Sequence, residues 1–177
     1  MKNAVLLILL LSVQFTPIHA QLNNFNAGDI APDFTVTDPQ NVTYTLYQFT
    51  DSGKYVLIDF FGYWCGTCRT KAAIVNAFYT KYGCNQYEVV VLGIEGDGTN
   101  AQLLQFDSLA GLPEHRYPAV SGLEGNGDSV HILYGVMAVP TLVAIGPDRK
   151  IINEQIYPST SSFEILTAFP ENSISKH

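Results

Sequence analysis

Apolar and polar residues alternate at Phe34-Thr35-Val36-Thr37 and again at Val42-Thr43-Tyr44-Thr45-Leu46. The turn-forming Asp38-Pro39-Gln40-Asn41 lies between them, so the pattern predicts a β-hairpin. Tyr55-Val56-Leu57-Ile58-Asp59-Phe60-Phe61 is apolar on both faces except for one acid, which suits a central strand covered on both sides. Cys68, Ala72, Val75, Phe78 and Tyr82 then recur every three or four residues, predicting a helix from about Cys65 to Tyr82 with one buried stripe. Gly83 is placed to close it with a left-handed residue. Glu88 to Ile94 is a second buried strand, and strand, helix and strand in that order make a right-handed parallel crossover.

Further on, Asn100 can cap a helix that turns Leu103, Phe106 and Leu109 inward, with Gly111 past its end. Tyr117 to Ser121 is a short strand, and Gly122 to Asp128 a glycine-rich loop leading into a helix from Ser129 to Tyr134. Thr141 to Ile145 and Lys150 to Ile156 form a hairpin around Gly146-Pro147-Asp148-Arg149. Ser161 to Phe169 is a last helix, followed by eight frayed residues. The sum is an α/β fold in three layers with one mixed sheet.

The first twenty residues stand outside this pattern. Lys2 precedes an apolar stretch from Ala4 to Val13, Pro17 breaks it, and Ile18-His19-Ala20 offers a cleavage site before Gln21. That is the layout of a secretory signal peptide, too short to span a bilayer comfortably. Its removal from the 177-residue chain leaves 157 residues, enough for a single domain over 21–177. One lysine and no acid go with it, so the charge of −7 becomes −8. The acids are scattered, an arrangement that argues against nucleic acid or an anionic membrane as partner.

Three cysteines remain. Exported proteins usually pair them for stability, but here Cys65 and Cys68 sit close together and Cys84 is left over. Cys84 reads as a small buried hydrophobe in preference to a regulatory thiol. Trp64-Cys65-Gly66-Thr67-Cys68 lies where a buried strand meets a helix. In the first turn of a helix this spacing brings the sulfurs within disulfide reach, and unpaired amides there favour a thiolate, lowering its pKa below the free value of about 8.5. Cys65 is then the attacking sulfur, Cys68 the resolving one, and Gly66 lets another chain approach. A zinc site needs two more ligands, and His115 and His131, sixteen apart, supply no second pair. A structural disulfide closing so short a loop would constrain the unfolded chain very little. No metal and no cofactor are expected. Gly122 to Gly127 lacks the lysine of a phosphate cradle, and Asn41-Val42-Thr43 is a glycosylation sequon that matters only in a eukaryotic host.

Gly62 to Cys68 following Val56 to Phe61, with Val139-Pro140-Thr141 before the closing hairpin, resembles the thioredoxin superfamily. The resemblance runs from about Gly28 to Phe169. Ala31-Pro32-Asp33-Phe34 and the inserted βα unit between Glu95 and Ser121 are similar to the exported TlpA/ResA-like thiol–disulfide oxidoreductases, relatives of the peroxiredoxin-type (AhpC/TSA) folds. It implies a thioredoxin-like α/β/α sandwich and dithiol–disulfide exchange with protein substrates outside the cytoplasm, as reductant or isomerase. It also implies an electron donor or acceptor that the sequence does not name. Pro140 would be cis and face the disulfide, leaving the backbone of Val139 free to pair with a substrate strand beside Trp64, Gly66 and Thr67.

Asp59 stands six residues before Cys65, where thioredoxin keeps a buried acid that carries a proton for the second cysteine. Burial among apolar neighbours should raise its pKa. The position of thioredoxin's partner lysine falls on Val91, so Asp59 should be strongly perturbed or turned to solvent. Lys71 stands where many TlpA/ResA-like proteins have glutamate, and is either a charge favouring thiolate or a solvated side chain. Ala73 and Thr67 replace two prolines found in relatives. Two alternatives are weaker. A peroxidase needs threonine or serine and a proline at positions that hold Gly62 and Ile58. Copper handling needs a remote histidine, His115 or His131, in a ligand motif that neither shows.

Overall fold

The computed structural model describes residues 22–113, 116–156 and 159–176. The leader at 1–20 and His115 lie outside the described residues. The first hairpin pairs β1 (Thr35–Thr37) with β2 (Thr43–Thr45) in antiparallel register as a separate two-stranded ribbon. Leu46 does not extend it, as the alternation suggested, but starts a six-residue helix, α1 (Leu46–Asp51). Asp33 draws the chain round there, accepting from the backbone N–H groups of both Phe34 and Tyr47.

The main sheet is built on β3 (Tyr55–Phe61). Its pleat sends Val56, Ile58 and Phe60 into one core layer and Leu57 and Phe61 into the other. Asp59 shares the second face and is buried there. The crossover helix α2 (Gly66–Lys81) covers that face and returns the chain to β4 (Val89–Glu95), parallel to β3. Helix α3 (Asn100–Leu109) follows, then β5 (Ala119–Val120), parallel to β4. Beyond two short helices, α4 (Gly122–Gly125) and α5 (Gly127–Tyr134), β6 (Thr141–Ile145) runs antiparallel to β3, and β7 (Ile151–Asn153) pairs on its outer edge. The order β5-β4-β3-β6-β7 is a mixed sheet. Residues of α2, α3 and the terminal α6 (Ser162–Leu166) pack in one layer; those of α1 and α5 pack in the other. This is the expected thioredoxin-like sandwich.

Several details differ from the sequence reading. The third helix is capped by Thr99 in a reciprocal box with Gln102, not by Asn100. Leu109 is exposed, since six residues of helix turn it about 120° away from Leu103. The glycines from Gly122 to Gly127 form helices where a loop was expected. They serve close packing: a Cβ on Gly122 would come 2.5 Å from the Asp97 nitrogen, and one on Gly127 2.2 Å from the Glu95 carbonyl. Asn126, at φ 69°, makes the break between the two helices. The tail is not wholly frayed, because Ile174 is buried in the α2 layer. Gly83 takes the expected left-handed value, φ 98°. Cys84 and Asn85 continue in that region, so the turn swings outward and Cys84 is exposed, contrary to its expected burial.

Candidate active site

The active-site turn begins where β3 ends. The Cys65 N–H closes on the Gly62 carbonyl at 3.0 Å, making Cys65 the N-cap of α2. Its Sγ accepts the Cys68 N–H at 3.1 Å and lies 3.3 Å from the Thr67 hydroxyl and 3.9 Å from the Val139 carbonyl. Cys65 and Cys68 form a disulfide, with Cα atoms 5.2 Å apart. Cys65 is 5% exposed and Cys68 1%. A reagent from solution therefore meets Cys65 first. A helix N-terminus with a free amide aimed at sulfur also favours its anionic form.

Around the sulfur, Gly66 and Thr67 are exposed, and among the described residues nothing lies within 4 Å of a Cβ built on Gly66. Trp64 is 59% exposed; its ring folds over Gly62 and its indole N–H donates to the Asp97 carboxylate at 3.0 Å. The Val139–Pro140 bond is cis. A cleft of about 250 Å³ runs between Trp64 and Val139, with Asp97, His131 and Met137 on its walls. Nε2 of His131 lies 2.9 Å from the Ile94 carbonyl and its ring meets Phe60 edge-on. Burial pushes its pKa down, and Nε2, facing a carbonyl that can only accept, is the donor that fastens α5 to β4.

Glu95, which the sequence reading missed, holds the turn from below. It is fully buried at the end of β4, opposite Phe61. One carboxylate oxygen accepts the Tyr63 and Asp97 N–H groups, the other those of Gly98 and Gly122. Burial pushes its carboxyl up, and the N–H donors of Gly122, Asp97 and Gly98 oppose this. The available signal was an acid ending an apolar strand just before Gly96-Asp97-Gly98.

Asp59 is buried, not turned to solvent. The residue across from it on β4 is Gly93; Val91, the expected position, pairs with Leu57. In place of a strand lysine, the Tyr117 hydroxyl donates to Asp59 Oδ2 at 2.7 Å. Oδ1 is buried with no hydrogen-bond partner among the described residues. Burial raises the pKa to about 6, opposed by the Tyr117 bond and the charges of Arg116 and Lys71. Lys71 is half-buried and bonded to the carbonyl and hydroxyl of Ser159, so it is not a freely solvated side chain. Its own pKa is lowered by desolvation. A Cβ at Gly93 would lie 2.9 Å from Ala119 Cβ and 3.0 Å from the Tyr117 ring. Gly93→Ala should therefore cost about 1–3 kcal/mol, measured by denaturant unfolding.

Residues 27–154 match the AhpC/TSA family. The chain belongs to that family. Within it, the chain is similar to thiol-disulfide oxidoreductase ResA of Bacillus thuringiensis subsp. konkukian, 29% identical over 153 residues, covering 85% of this chain and 83% of the relative. ResA of Oceanobacillus iheyensis is 27% identical over 173 residues, covering 95% and 85%. The fold matches the thioredoxin domain of a thiol-disulfide oxidoreductase from Bacteroides vulgatus with a TM-score of 0.66 at 19% identity, covering 81% of this chain and 97% of that one. This AhpC/TSA protein is a TlpA/ResA-like member of the thioredoxin superfamily and a thiol–disulfide oxidoreductase.

Proposed function

We propose that the mature chain, a single domain freed of residues 1–20 on export, exchanges its Cys65/Cys68 pair with protein thiols and disulfides outside the cytoplasm, as reductant or isomerase. The observation that carries this reading is the Cys65 sulfur, which sits at the N-cap of α2 on the Cys68 amide and beside the Val139 carbonyl. In the reducing direction the Cys65 thiolate attacks a substrate disulfide and expels one substrate thiolate. Asp59 takes the Cys68 proton, directly or through a water at Oδ1, and Cys68 then attacks the Cys65 sulfur. The Cys65–Cys68 bond forms, the mixed disulfide breaks, and the second substrate thiolate leaves. Two electrons pass to the substrate, and a dithiol donor must return them.

Trp64, Gly66, Thr67 and the cis Val139–Pro140 segment form the substrate face, where the Val139 backbone accepts an added strand. Export is supported by the leader's charge, apolar run and cleavage site, and none of the described helices is long and apolar enough to cross a membrane. Equilibrating the protein with thiol buffers and trapping free cysteines gives the potential of the couple. A value near thioredoxin's, about −270 mV, is expected; one near −120 mV overturns the reducing direction.

A further inference from the structure

The group that steadies Asp59 comes from far along the chain. Leu57, Asp59 and Phe61 face the α2 layer, and each neighbouring element can be read for what it presents to the carboxylate. On β4 the position is Gly93, with no side chain; on β6 it is the apolar Leu142. Helix α2 contributes Cys68 to the same layer and places the charge of Lys71 within reach, itself shared with Glu164. The segment before β5 contributes Arg116 and Tyr117.

Tyr117 is wholly buried, and the missing side chain at Gly93 makes room for its ring. Arg116 lies with its guanidinium carbon 4.5 Å from the centre of that ring and 5.8 Å from that of Phe61. Its Nε donates to the Tyr117 carbonyl, and its Nη1 pairs with Asp107 on α3. Asp107, Arg116 and Tyr117 line a cleft of about 460 Å³. A chain of contacts therefore leads from Asp59 through Tyr117 and Arg116 to Asp107 at that cleft.

We infer that Tyr117, backed by Arg116 and Asp107, is a positioning residue that holds the Asp59 carboxylate and sets the pH at which Asp59 exchanges its proton. A phenol that donates to the carboxylate stabilises the charged form, and so does a nearby guanidinium. Asp107 partly neutralises that guanidinium. The three groups thus push Asp59 in known and opposite directions. This extends the proposed proton-carrier role of Asp59, but the titration itself can be followed without it.

The test is NMR titration of the Asp59 carboxyl carbon in the oxidised protein, alongside the pH profile of exchange by the reduced protein. Tyr117→Phe keeps the ring that fills the space above Gly93 and removes only the hydroxyl. Its Asp59 midpoint should rise by about one pH unit, with the pH profile of exchange moving in step. Asp107→Asn frees the Arg116 charge and should lower the midpoint by a few tenths of a unit. A midpoint unchanged in both variants, or moved the same way in both, overturns the inference. If Tyr117→Phe does not fold, the sign of the Asp107→Asn shift decides alone. Midpoints that shift as expected while the exchange profile stays fixed uphold the positioning role and refute the proton-carrier role of Asp59.

Discussion

Cys65→Ser abolishes disulfide exchange, whereas Cys68→Ser retains attack and accumulates mixed disulfides through Cys65. The two sulfurs are chemically alike but differently placed. Cys65 caps α2, receives the Cys68 amide and is the more exposed. Cys68 lies one turn further along α2, almost without surface, in the layer that covers the Asp59 face of β3. Removing Cys65 takes away the sulfur that a substrate can reach. Removing Cys68 leaves that sulfur but deletes the group that would expel the substrate. Mass spectrometry after acid quenching should find the substrate on Cys65 in the Cys68→Ser protein and on no residue in Cys65→Ser. Wild-type exchange in Cys65→Ser would sink the assignment.

Asp59→Asn makes the oxidised protein more stable at pH 7 by about 3 kcal/mol and slows exchange. An acid titrating near 3.8 in the unfolded chain and about 6 in the fold binds its proton more tightly when folded. Stability from this group is therefore fully present below about pH 4. It falls as pH rises towards about 6 and stays low above that. Asparagine keeps an oxygen for the Tyr117 hydroxyl and never carries the charge, so the part of the pH dependence that Asp59 contributes should vanish while that of the other acids, Glu95 among them, remains. Urea unfolding at pH 4 and pH 7 measures the difference. Equal pH dependence in the wild type and the variant would show that Asp59 is not the titrating group. The exchange rate should fall in the same variant, because asparagine cannot accept the Cys68 proton.

The parts that were legible in the sequence are those written in short-range pattern. The apolar run around Asp59 marked a strand buried on both faces, and the period of Cys68, Ala72, Val75 and Phe78 marked the helix above it. The spacing of Cys65 and Cys68 marked the disulfide, and Val139-Pro140 was visible through resemblance alone. What escaped depends on register and on long-range contact. A two-residue offset between β3 and β4 decides whether Asp59 faces Val91 or Gly93, and only pairing in space fixes it. Tyr117 reaches Asp59 from 58 residues away. Helix α1 and the four-residue α4 are too short to show a period, and the glycines from Gly122 to Gly127 look like loop residues until the backbones beneath them are seen.

One carboxylate joins three segments that are distant in sequence. Because Glu95 accepts from Tyr63, Asp97, Gly98 and Gly122, no one of these amides can open without disturbing the acceptor of the others. The turn carrying Trp64 and the chain entering α4 are thus mechanically in series. A displacement of that turn would be passed through Glu95, thirty positions downstream of Cys65, to the start of α4.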